Sequence, residues 1–314
     1  MRRLWPVVLT ALLAAPAPAV ARIRVVDLRT GAVRTIASAR AARPLGRHGG
    51  AMLGFDGRAV RRYPGGRRLV RLPGARDVVL NGDRIAAVAG GGEHSDRVVV
   101  TDLHGRRLAA RRFHFVDSLA WSRGGRRLAV GWEDGRSHLT ILTPALKPLR
   151  TVASPAPVTM SPGGWAPDGR ALTFVADQPR LGVAHDRYPS EVRSLDLATG
   201  RQTVLLRGTR CDGLVCELLG APHAAGGGRV ALVRDLNAVA LLRPGARPQS
   251  LTLPAGCDGV AAVAWAAASL AVAYTDGTRT RLALLPQRRT IATLGGGEVD
   301  DLLVSGRRAA VYQR

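Results

Sequence analysis

Lysine is almost missing from this 314-residue chain: Lys147 stands alone, and the rest of the 46 basic residues are arginine. Asparagine is as scarce, with only Asn81 and Asn237, and aromatic residues make up 4%. Each shortage excludes something. With so few aromatics, the 46% of hydrophobic residues must come from Val, Leu and Ala, and 37 Gly and 19 Pro break them into many short, turned segments. Long helices and a membrane bundle are therefore disfavoured. Two Asn and no Asp-x-Asp-x-Asp-Gly loop leave little from which to assemble a calcium site. Three cysteines without a Cys-x-x-Cys pair, and seven histidines with no two at ligand spacing, make a poor zinc site. A Gly-x-Ser-x-Gly nucleophile elbow is also missing. No catalytic residue, metal ligand or cofactor is expected.

What is abundant is positive charge, +23 overall. The arginines are scattered as pairs beside turns, such as Arg61 and Arg62, Arg67 and Arg68, Arg106 and Arg107, and Arg126 and Arg127. Arginine in place of lysine, with little Asn, Ile, Phe or Tyr, is the pattern that GC-rich codons impose. A solvated surface is the expected reading, without specific nucleic-acid binding; attraction to anionic wall polymers is the alternative.

Residues 1–21 carry an address. Met1, Arg2 and Arg3 form a charged start, Leu4 to Ala15 an apolar run, and Ala19-Val20-Ala21 a small-x-small site before Arg22. A cleaved secretory signal is expected, and Pro6, Pro16 and Pro18 argue against an uncleaved span. Cleavage would leave 44 basic and 23 acidic residues, a charge of +21, and no membrane span. The mature chain, 22–314, should be secreted or reside in the periplasm or cell envelope.

Two hairpins alternate along that mature chain. One turns at Asp27-Leu28-Arg29-Thr30-Gly31 and returns at Asp102-Leu103-His104-Gly105 and Asp196-Leu197-Ala198-Thr199-Gly200, with proline-bearing versions at Pro64, Pro144, Pro244 and Pro286. The other is clearest at Trp165-Ala166-Pro167-Asp168-Gly169-Arg170-Ala171-Leu172-Thr173-Phe174 and Trp121-Ser122-Arg123-Gly124-Gly125-Arg126-Arg127-Leu128-Ala129-Val130. A third copy, from Trp265, has a turn shorter by about two residues, and weaker copies turn at Gly49, Gly82, Gly227 and Gly306. Each set has seven members. This second pattern resembles the repeat of TolB-like, WD40-like β-propellers, and the resemblance implies an all-β fold with the three tryptophans packed between blades. The chain opens with the first hairpin type and closes with the second, so pairing the termini would complete one blade. A single seven-bladed β-propeller closed by its N- and C-terminal strands is expected.

Function is less legible. The fourth repeat, about 157–207, carries an extra loop from Asp177 to Pro189. A long loop on a rigid scaffold is a usual place for recognition, so Arg180, His185, Asp186, Arg187 and Tyr188 are the expected partner contacts. Cys211 and Cys216 are close enough to pair as a disulfide, although Cys211 and Cys257 head the same Cys-Asp-Gly tripeptide and so occupy similar places in neighbouring repeats. The expectation is a noncatalytic binding platform for an unknown envelope or extracellular protein. A lactonase-like propeller hydrolase with its site at the central channel is the alternative. Peptidase propellers carry a separate hydrolase domain, for which repeats filling 22–314 would leave no room.

Overall fold

The structure is a computed structural model describing residues 22–38, 43–90, 95–176, 190–208 and 219–313. Asp27 shows how one residue type sets a turn: its carboxylate accepts the amides of Arg29 and Thr30, both at 2.9 Å, while Gly31 closes the turn with a φ of 77°. The same capping recurs at Asp196, which accepts the Thr199 amide at 2.8 Å. Those amides hold both carboxyls below their ordinary range, with Thr30 contributing most at Asp27 and Thr199 at Asp196. Both sets of hairpins fall where the sequence pattern places them.

The hairpins pair into seven four-stranded antiparallel sheets, the blades of a propeller. Six blades use four consecutive strands each, with the first of the four innermost. Their innermost strands are Arg43–His48, Ala75–Asn81, Phe115–Trp121, Val158–Thr159, His223–Ala224 and Gly259–Ala266, in blades one to six. The closing blade is assembled from both ends of the chain. Its order from the inside is Val299–Ser305, Arg308–Gln313, Arg22–Asp27 and Val33–Ser38. Its central ladder pairs Ile23 with Tyr312, Val25 with Ala310 and Asp27 with Arg308.

Apolar side chains fill the seams between blades. Trp121, Trp165 and Trp265 occupy one repeat position, opposite Leu128, Leu172 and Leu270. Two of them also tie a blade to the one before it: the Trp165 indole donates to the Ala120 carbonyl at 3.1 Å, and that of Trp265 to the His223 carbonyl at 2.8 Å. Trp121 is buried like Trp165, but its indole N–H has no hydrogen-bond partner among the described residues. Blades three and four approach closely at Gly131, where a Cβ would lie 2.8 Å from the Val158 Cβ and 3.1 Å from its carbonyl oxygen. Only glycine fits there.

The closing ladder should be critical to stability, and Ile23, fully buried within it, is the place to weaken it. Ile23→Ala should cost about 2–5 kcal/mol of unfolding free energy, read from urea melts. Val33→Ala, on the exposed outer strand of the same blade, should stay within about 0.5 kcal/mol. Equal losses would show that the termini do not clasp the ring.

Candidate functional site

A cavity of about 1430 Å³ occupies the centre of the ring and continues outward between the closing blade and blade one. One mouth lies where the innermost strands begin, and there a local irregularity recurs. A bulge interrupts the pairing between Pro44 and Gly46, Ala75 and Asp77, Val116 and Ser118, Val260 and Ala262, and Val299 and Asp301. A bulge bends its strand and re-aims the residues at the kink. Here it sets Asp77, Asp117, Asp300 and Asp301 around the opening.

These carboxylates are tied to their neighbours. Asp77 accepts the Val78 amide at 2.9 Å, the Leu119 amide of blade three at 3.3 Å and the Arg43 guanidinium of blade one at 3.1 Å. Asp117 accepts the Val158 amide of blade four at 3.3 Å. Asp301 accepts the Leu302 amide at 2.8 Å. Just outside, Asp96 holds Arg76 and the Val116 amide, and Glu133 accepts the Ser137 hydroxyl. Desolvation pushes the Asp117 carboxyl up to about 6, opposed by the Val158 amide and assisted by the charge of Glu133. Burial also raises Asp301, against the attraction of Arg43.

The opposite mouth is narrowed by a cation. Arg123 leaves the inner turn of blade three and donates to the Ala224 carbonyl of blade five at 3.2 Å, passing blade four. Ser161 donates to the Pro222 carbonyl at 2.7 Å, and the His223 ring stands against Gly163. Burial, with Arg123 nearby, holds His223 down to about 4, so the imidazole is neutral at pH 7.

Of the residues singled out by sequence, Trp121 and Trp265 line this cavity. Arg180, His185, Asp186, Arg187, Tyr188, Cys211 and Cys216 all lie outside the described residues. Cys257 is half-buried just before the innermost strand of blade six, makes no disulfide among the described residues, and has its thiol pushed up by burial. The channel carboxylates escaped notice although a signal existed. Asp77-Val78, Asp117-Ser118 and Asp301-Leu302 each stand at the start of an apolar strand that leads into an inner turn. No cluster of three or more potential metal ligands forms among the described residues.

Comparison with known proteins adds the fold. No family model matches the chain, and no curated protein matches it. Among solved structures, a prolyl endopeptidase aligns over 84% of this chain at 12% identity with a TM-score of 0.57, and this chain spans only 44% of the endopeptidase's length. The β-propeller domain of Cps50 (Swd1) from Myceliophteria thermophila matches at 14% identity over 83% of this chain and 90% of its own, with a TM-score of 0.56. The TolB-type protein of Agrobacterium tumefaciens matches at 14% identity over 93% of this chain and 97% of its own, with a TM-score of 0.50. The class is thus the seven-bladed propeller of TolB-like and WD40-like architecture.

Asp117 provides a measurable signature of the channel. Its folded pKa lies above the unfolded value of ~3.9, so the folded state holds the proton more tightly and loses stability as pH rises from there through about 6. Solvent limits the size of that loss, since the Asp117 residue is exposed. An asparagine side chain in its place would still accept the Val158 amide but could not ionise. The melting temperature of Asp117→Asn should therefore match wild type near pH 4 and exceed it increasingly toward pH 7. A constant difference across that range would place the titration elsewhere.

Proposed function

We propose that this chain is an exported, noncatalytic binding module that uses the propeller as a rigid platform. The observation that carries this reading is the engagement of the carboxylates at one mouth of the ring and of Ser161 and Arg123 at the other. Asp77, Asp117 and Asp301 accept backbone amides, the Ser161 hydroxyl is spent on a carbonyl, and Arg43 and Arg123 bridge blades. Ser161, a buried hydroxyl of this cavity, thus donates to a backbone oxygen and not to the base that covalent catalysis would need. Export is supported by the charged start, apolar run and small-x-small site of residues 1–21.

A protein partner would meet the face bearing the carboxylates. Ala176, where the fourth-blade insertion begins, pairs with Val158, the residue that donates to Asp117. The insertion therefore springs from the rim of that mouth, and Arg180, His185, Asp186, Arg187 and Tyr188 are its candidate contacts. Tyr offers large contact area at low entropy cost, and Arg makes forked bonds to carboxylates.

The test joins capture with catalysis. Replacing 177–189 by a short Gly-Ser turn should leave the melting temperature within about a degree, given the small effect of surface changes, and abolish crosslinked capture of a partner from the native envelope. Capture at full affinity would move the contact surface elsewhere. Turnover of lactones or esters that a chelator abolishes would overturn the noncatalytic reading.

A further inference from the structure

One seam of the ring has the smallest fully buried apolar cluster among the described residues. Between the closing blade and blade one, the buried apolar cluster contains four residues among those described: Ile23, Met52, Tyr63 and Ala310. The other six clusters contain between seven and thirteen. The cavity extends into this seam.

The register shows what the seam offers. Leu303, Ala310, Val25 and Arg34 lie directly opposite one another across the four strands of the closing blade, so they share one face. All four line the cavity. From the channel outward the row is apolar for three strands and ends on a guanidinium, a distance of about 14 Å at three spacings of about 4.8 Å. Blade one answers with Met52 opposite Tyr63, both lining the same space. Arg307 and Arg308 extend the positive rim at the adjoining turn, and neither they nor Arg34 forms an ion pair among the described residues. Asp27 is the acid on this rim, and its carboxylate is occupied by its own turn.

The backbone restricts the occupant further. Arg22–Asp27, Arg308–Gln313 and Ala51–Phe55 are interior strands paired on both edges, so the middle of the seam offers no free ladder to which a peptide could add a strand, although Val33–Ser38 and the innermost strands each keep one unpaired edge. An occupant must bring an apolar body with little hydrogen-bonding demand, and an acidic group for the outer end. Resting on the reading of the chain as a binding module, we propose that this seam binds a medium-length acyl chain bearing an anionic head, with its tail along Val25, Ala310, Leu303 and Met52 and its head at Arg34, with Arg307 adding positive charge from the inner turn.

The test uses the full exported protein and dansylaminoundecanoic acid, a fluorescent acyl carboxylate. Saturable binding at one probe per chain is expected, competed by a fatty acid and at least tenfold more weakly by its methyl ester. Arg34→Glu combined with Arg307→Glu, both at exposed positions, should weaken binding at least tenfold. Leu303→Trp, which fills the seam, should abolish it. Should Leu303→Trp fail to fold, the charge-reversed protein still decides. Binding unchanged by charge reversal, no saturable binding, or preference for an acidic apolar peptide over the acyl probe would each overturn the assignment. If the probe fails while envelope capture through the fourth-blade face persists, the acyl site falls and the binding-module reading stands; turnover of acyl esters would remove both.

Discussion

The ladder between Arg22–Asp27 and Arg308–Gln313 is the constraint on which the rest of this molecule depends. Hairpins simply laid in a row would make an open array with two unpaired edges, each a template for association with another chain. Joining the first strand to the last turns the array into a ring and leaves each blade with a neighbour on either side. The ring in turn creates a central channel, and it forces the innermost strands to bend around it. The recurrent bulges, from Pro44/Gly46 to Val299/Asp301, are where that bend is taken up. Closure of the chain thus reaches the chemistry of the channel through backbone geometry.

The same bend explains the carboxylates. Convergence of strands at a narrow mouth exposes amides of one blade to side chains of the one before it, as with Val158 toward Asp117 and Leu119 toward Asp77. An acceptor aimed across the seam satisfies those donors, and a carboxylate does so more strongly than a neutral group. The cost is electrostatic, because several acids then face one channel. Arg43 offsets part of it by bridging Asp77 and the Val78 carbonyl while standing near Asp301. Desolvation nonetheless raises both Asp117 and Asp301 above the ordinary carboxylate range. Charge in this channel serves the ring first.

Architecture was legible in sequence because propeller turns depend on local chemistry. Asp27, Asp196 and their following glycines mark outer turns, and the three tryptophans mark one inner position, all within short windows of sequence. The termini were legible for a related reason, since an unmatched hairpin type at each end asks for the other. The cavity was hidden for the opposite reason. Its walls bring Val25 and Met52 beside Leu303 and Ala310, residues separated by most of the chain, and none differs in type from the core residues of other blades. What distinguishes them is the large neighbour they lack, and only the assembled ring reveals that. The channel acids fell between these cases: their sequence pattern is local, but their convergence is not.

The underfilled seam also follows from how the ring is closed. The hydrogen bonds that clasp the termini lie inside the closing blade, on the near side of the seam to blade one. Across that seam the joining forces include packing, the attraction of Arg43 for Asp301 and the chain connection from Ser38 to Arg43. Packing is non-directional and roughly proportional to area, so it can be reduced locally without breaking a ladder. A fully dry seam would contribute more stability, by about 25 cal/mol for each square ångström of apolar surface taken from water. Leaving Leu303 and Val25 half-buried beside an open cavity forgoes part of that gain. A ligand that covers them recovers it on binding. The ladder preserves the ring while the seam is empty, so the energy forgone in folding becomes energy available for recognition.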